Sequence, residues 1–143
     1  MKILKLLSLV CALALVSCDS LNPFAAKQEK MKNLEGKWYL QGYEVEGVEA
    51  ELTELERTNY MELKSGKRFE CLEKGAKVEG NWDYYGFSET ISLMEDGNID
   101  CLDLDVIEAT EDQLIYDMET QDRQNMRVWM STTPTAQDPD SQN

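Results

Sequence analysis

The chain predicts an all-β fold, a small antiparallel up-and-down barrel of about eight strands preceded by a cleavable leader. Three observations lead there. Between Leu34 and Met130 apolar and polar residues alternate in short runs, the period of half-buried strands. Short polar or glycine-containing segments separate those runs, so successive strands pair as hairpins. No helical pattern in that span is long enough to build a second layer. A lone sheet of this length must close on itself or expose an edge, and closure is the economical solution.

The leader comes first. Lys2 and Lys5 open the chain, an apolar run extends from Leu6 to Val16, and Leu15-Val16-Ser17-Cys18 follows. A charged start, a short apolar stretch and a small-residue cleavage site make a secretory signal. The run falls short of the ~20 apolar residues needed to span a bilayer. A cysteine directly after the small residue resembles the bacterial lipobox. That resemblance implies cleavage between Ser17 and Cys18 and acylation of Cys18 on both its thiol and its new amine. An ordinary signal with an incidental cysteine is the alternative. The reading divides the chain into a lipoprotein signal peptide (1–17), a lipidated cysteine and tether (18–33), a barrel domain (34–130) and a disordered tail (131–143). A turn or two of helix is expected near Ala25 to Met31.

The strands follow in order. Gly36 to Tyr43 opens the barrel with Trp38 and Leu40 on one face. Tyr60 to Lys64 and Arg68 to Leu72 flank Ser65-Gly66-Lys67. Val78 to Tyr85 carries Trp82 and Tyr84 on one face. Glu89 to Met94 and Ile99 to Ile107 flank Glu95-Asp96-Gly97-Asn98. Gln113 to Glu119 and Asn125 to Met130 flank Thr120 to Gln124. Val48 to Thr58 breaks the alternation, with Leu52 and Leu55 at helical spacing. It is either a short helix across a barrel end or a surface loop anchored by leucines.

Charge excludes one class of partner. The chain carries 14 Lys and Arg against 28 Asp and Glu, a net charge of −14. Loss of the two leader lysines makes the mature chain more acidic still. Such a chain repels phosphate backbones, so no nucleic-acid partner is expected, and attachment to anionic membranes must come from lipid. Stable anchoring takes about two acyl chains, which a multiply acylated Cys18 supplies. The expected address is the cell envelope, on the outer membrane of a Gram-negative cell.

Chemistry is sparse. With no histidine, the usual proton shuttle, the commonest metal ligand and every Ser-His or Cys-His pair are missing. No cofactor, metal site or catalytic residue is expected. Asp96 to Asp100 superficially matches a calcium loop, but Cys101 sits in the glycine position and Ile107 in the glutamate position. Abundant acids make any carboxylate pair uninformative. Once Cys11 leaves and Cys18 is acylated, Cys71 and Cys101 remain as a possible disulfide in an oxidising compartment. Strand parity argues against it: Cys71 is in step with Phe69, whereas Cys101 is out of step with Leu102 and Leu104.

The order of motifs reaches a family. Leu34-Glu35-Gly36-Lys37-Trp38-Tyr39-Leu40 resembles the Gly-x-Trp opening strand of lipocalins. Gly66-Lys67-Arg68-Phe69, Gly80-Asn81-Trp82, the Ile91 and Leu93 strand, and Val106 to Thr110 before Gln113 to Tyr116 complete the sequence order. Together with the lipobox they resemble the small lipocalin-like lipoproteins of bacteria. The resemblance implies a barrel with Trp38 plugging one end. It also implies an arginine stacked on that ring, matched by Arg127 with Arg123 as the alternative.

The expected inward set is Leu40, Met61, Leu63, Phe69, Trp82, Tyr84, Ile91, Leu93, Leu102, Leu104, Leu114, Tyr116, Met118 and Val128. As a cup, the interior would be lined by Leu40, Met61, Leu63, Phe69, Trp82, Tyr84, Leu93, Leu104, Tyr116 and Met118. Its adaptable methionines would be joined by the Tyr84 and Tyr116 phenols. A fatty-acid carboxylate would need a buried cation, and only Arg68 or Arg127 is remotely placed. A neutral hydrophobic ligand suits the residues better. The competing reading is a filled barrel that presents a loop or edge to a protein partner, such as a periplasmic hydrolase that it inhibits.

Overall fold

The computed structural model describes residues 23–135. The expected signal peptide, Cys11, Cys18 and residues 136–143 of the expected tail lie outside the described residues. Helix α1 (Pro23–Leu34) leads into nine strands. These are β1 (Gly36–Val45), β2 (Val48–Glu49), β3 (Tyr60–Lys64), β4 (Arg68–Glu73) and β5 (Ala76–Tyr85), then β6 (Thr90–Glu95), β7 (Cys101–Ala109), β8 (Gln113–Glu119) and β9 (Asn125–Ser131). All pairings are antiparallel, and β1 pairs with β9. That last pairing closes an eight-stranded barrel, with β2 as a two-residue extension beside the far end of β1.

The two strands that shape the interior are β1 and β5. β1 pairs with β3 only through Gly36–Tyr39, whereas β9 accompanies it from Tyr39 to Val45 with a register shift between Leu40 and Gly42. Such a bulge twists the strand and lets its second half splay away from β3. β5 pairs with β4 as far as Asn81 and with β6 from Gly80 onward. The corner falls at Gly80, where only glycine fits. A Cβ there would lie 2.1 Å from the Met94 carbonyl oxygen and 2.6 Å from the Phe69 ring.

One end of the barrel is solid. Trp38 is 1% exposed, its indole N–H bonded to the Leu34 carbonyl at 2.9 Å. Leu34, Leu63, Phe69, Trp82, Tyr84 and Ile91 are buried with it. The Trp82 indole donates to the Lys64 carbonyl at 3.0 Å, so both large rings are apolar plugs with satisfied polar tips. Helix α1 lies over this end: Leu34 is buried, Met31 packs on the core, and Lys30 pairs with Glu89 at 2.5 Å.

Several expectations change. The second half of the predicted tether is the twelve-residue α1, because Met31 and Leu34 have apolar surface to cover. At the other end, Ser131 completes β9, and Gln41 Nε2 donates to the Thr133 carbonyl. The Thr135 hydroxyl donates to the Leu40 carbonyl. The ordered body therefore runs past Met130. The segment from Val48 to Thr58 is β2, a loop and a single 3-10 turn at Glu56–Thr58. Leu52 packs on the core while Leu55 is exposed.

Neither arginine reaches Trp38. Arg127 lies opposite Glu44 and forms a forked pair with Asp117 at 2.7 and 2.9 Å. Arg123 sits in the β8–β9 turn at φ 60°. The polar contact of the indole is the in-plane one from its N–H to the Leu34 carbonyl at the end of α1. Cys71 and Cys101 are free thiols, on strands separated in the sheet by β5 and β6. Cys71 is on the cavity wall while Cys101 is exposed, which is the outcome parity favoured. The turn from Asp96 to Asp100 is explained as a hairpin loop. The Asn98 side chain accepts from the Ile99 and Asp100 amides, and Asp96 is held by Arg68.

Candidate functional site

The barrel end away from α1 is hollow. A cavity of about 250 Å³ opens there, just below the ~300 Å³ at which small-molecule sites commonly begin. Leu93, Leu104, Tyr116, Val128 and Met130 are buried around it, with Leu40 and Met61. Met118, Met126 and the Cys71 thiol complete the wall. Leu102 touches the cavity although it is 42% exposed, so it forms rim and not core.

Four of the expected lining residues belong elsewhere. Leu63, Phe69, Trp82 and Tyr84 face inward but fill the α1 end, and none of them borders this cavity. Tyr84 instead borders a smaller hollow of about 130 Å³ beside Lys30 and Glu89. Leu40, Met61, Leu93, Leu104, Tyr116 and Met118 line the cavity as expected. Beyond the expected cup, Tyr43 and Glu56 also line the cavity, as do Cys71, in step with Phe69, and Met126 and Met130, in step with Val128. Thr53-Glu54-Leu55-Glu56 is a Thr-x-x-Glu capping pattern that could have signalled Glu56.

That pattern builds the mouth. Glu56 Oε2 accepts from the Thr53 amide at 2.9 Å and hydroxyl at 2.8 Å, and the Glu56 amide donates back to the Thr53 hydroxyl at 3.2 Å. Glu56 Oε1 faces the Tyr43 hydroxyl at 3.3 Å and Lys74 Nζ at 3.8 Å. The Thr53 amide, then its hydroxyl, hold this carboxyl below its ordinary range even though the residue is only 6% exposed. Burial first, and Glu56 second, push the Tyr43 phenol up. The mouth thus carries a fixed buried anion with a neutral phenol beside it.

The wall is chemically quiet. Burial pushes the Cys71 thiol up to about 12, helped by Glu73 and Glu70, so it stays protonated at neutral pH. Tyr116 is likewise raised by burial. Both arginines considered as carboxylate partners point outward: Arg68 is forked onto Asp96 at 2.8 and 2.6 Å, and Arg127 onto Asp117. The charged residues bordering the cavity are Glu56, Glu73 and Lys74.

A family model described as a lipocalin-like domain matches residues 34–116, more than half of the chain. The chain belongs to the lipocalin-like domain family. The lipocalin-like barrel seen here is also similar to the crystal structure of a lipocalin-like protein from Bacteroides uniformis ATCC 8492. That likeness has a TM-score of 0.52 at 16% identity and covers 71% of this chain and 99% of that one. At such identity it speaks to the fold alone. No curated protein matches the chain. The family match stops within β8, yet β9 follows in register and completes the lipocalin-like closure against β1.

Proposed function

We propose that this lipocalin-like protein is a lipid-anchored, non-catalytic binder of a small hydrophobic molecule at the cell envelope. The observation that carries the reading is the cavity of about 250 Å³, walled by Leu, Met and Val side chains and reached past Tyr43 and Glu56. An apolar wall with a few polar groups at its entrance is the usual build of a small-molecule site. Its size suits a compact ligand. The protonated Cys71 and the absence of histidine favour binding over catalysis. The lipobox at Cys18 supports anchorage through acyl chains to the outer membrane, with the domain outside the cytoplasm.

A second reading, an interaction module such as a hydrolase inhibitor, draws on exposed Phe87 and Ile99. These two residues lie in the turns before and after β6, at its opposite ends. They therefore form no single apolar patch of the kind that marks a protein interface, and the cavity reading is preferred. Native mass spectrometry of the protein extracted from its own envelope tests it. A retained small molecule is expected; apoprotein alone, together with co-purification of one stoichiometric protein, would reverse the preference.

A further inference from the structure

The mouth bears on which head group a ligand can carry. Glu56 Oε2 is saturated by the Thr53 amide and hydroxyl, whereas Oε1 has only the long 3.3 Å contact from Tyr43 and the 3.8 Å approach of Lys74. Oε1 therefore keeps accepting capacity at the edge of an apolar cavity. Glu73 is the second acid on the border, and Lys74, its side chain 63% exposed, is the one cation among the described lining residues. No described arginine borders the cavity. The net charge of −14 extends the same sign over the whole chain. A carboxylate entering head-out would meet Glu56 and Glu73 with only a solvated lysine in compensation. An ammonium would gain a charge-assisted hydrogen bond to a carboxylate that is already desolvated and fixed.

We propose that the cup selects a small amphiphile with an apolar tail and an amine head that docks on Glu56 Oε1, and disfavours the carboxylate of equal length. The inference rests on the ligand-binding reading above and names the class of ligand for that site. The tail lies against Met61, Met118, Met126 and Met130; the Tyr43 hydroxyl is the second polar partner of the head.

The methionines supply the assay. The full-length chain with carbon-13 methionine methyls is titrated separately with octylamine, octanol and octanoate. Met61, Met118, Met126 and Met130 report the cavity, while Met94, which does not border it, controls for binding to the acidic surface. Octylamine is expected to shift the four cavity methyls, spare Met94, and bind about tenfold or more tighter than octanoate. Glu56→Gln, which preserves the capping contacts, should narrow that ratio to about threefold or less. Lys74→Met, on an exposed turn, should widen it. Octanoate binding as tightly as octylamine, or a ratio unmoved by both substitutions, overturns the amine preference while leaving the cavity as a binding site. If none of the three probes moves a cavity methyl, the binding reading and this inference fall together.

Discussion

The indole N–H of Trp38 donates to the carbonyl of Leu34 at 2.9 Å, so the end of α1 is fastened to the first barrel strand by its most buried side chain. The bond does two things. It satisfies a polar atom that would otherwise be stranded in the core, and it terminates the helix where the chain must turn into β1.

Trp38→Ala removes the ring and that bond together. A loss of about 3–5 kcal/mol is expected, with α1 released from the barrel end. Urea unfolding measures it, and an unchanged midpoint would contradict the plugging role of Trp38.

Gly80→Ala should be nearly as costly, by a different route. The added Cβ would sit 2.1 Å from the Met94 carbonyl and 2.9 Å from Glu95 Cα, both of them backbone. Backbone cannot rotate away, so a loss of about 3 kcal/mol is expected. The mutant midpoint in the same titration checks it, and a neutral result would mean that β5 does not turn at this residue.

Acid should weaken the fold through Glu70. Its carboxylate accepts from the Tyr60 hydroxyl at 2.5 Å, Lys64 at 2.9 Å and Lys77 at 3.0 Å. The Tyr60 bond, then the lysines, hold it down at about 2 against an ordinary 4.5. A depressed carboxyl stabilises the folded state above its unfolded value, and that contribution is lost as pH falls from about 4.5 toward 2. Glu70→Gln should flatten this limb of the stability profile. A profile with the same slope in both proteins would place the acid sensitivity elsewhere.

Alkylation should separate the two thiols. Cys101 is exposed and should react promptly with iodoacetamide, whereas half-buried Cys71, its thiol pushed up to about 12, should react far more slowly. Peptide mass spectrometry over time distinguishes them. Protection of both until a reductant is added would reveal a bridge between them.

Cys18→Ser should shift the protein from the membrane to the soluble fraction, because the acidic surface offers anionic lipid no attraction. Retention in membranes after a high-salt wash would count against acylation at that residue.

Strands were legible because period-2 alternation reports directly which side chains face inward. It does not report how far along the axis a residue sits. That is why Leu63, Phe69, Trp82 and Tyr84 were expected beside Leu40, Met61 and Leu104, although they fill the opposite end of the same interior. The mouth was less legible for another reason. Tyr43 follows the register shift between Leu40 and Gly42, which reverses the parity set by Trp38 and Leu40, and Glu56 opens a single 3-10 turn too short to show a period. The stacking arginine that the resemblance implied is not found on Trp38: the indole N–H meets the Leu34 carbonyl, and Arg127 is engaged by Asp117. Arg127 is out of step with buried Val128 and Met130, and its pairing with Asp117 agrees with an outward course.

The paired course of β1 and β9 gives the molecule a polarity that bears on its handling. β9 runs from Asn125, bound to Glu46, to Ser131 beside Tyr39, so the strand ends in the half of the barrel that α1 caps. A probe placed on α1 or at Ser131 would thus stand away from the opening, a favourable layout for an affinity sensor.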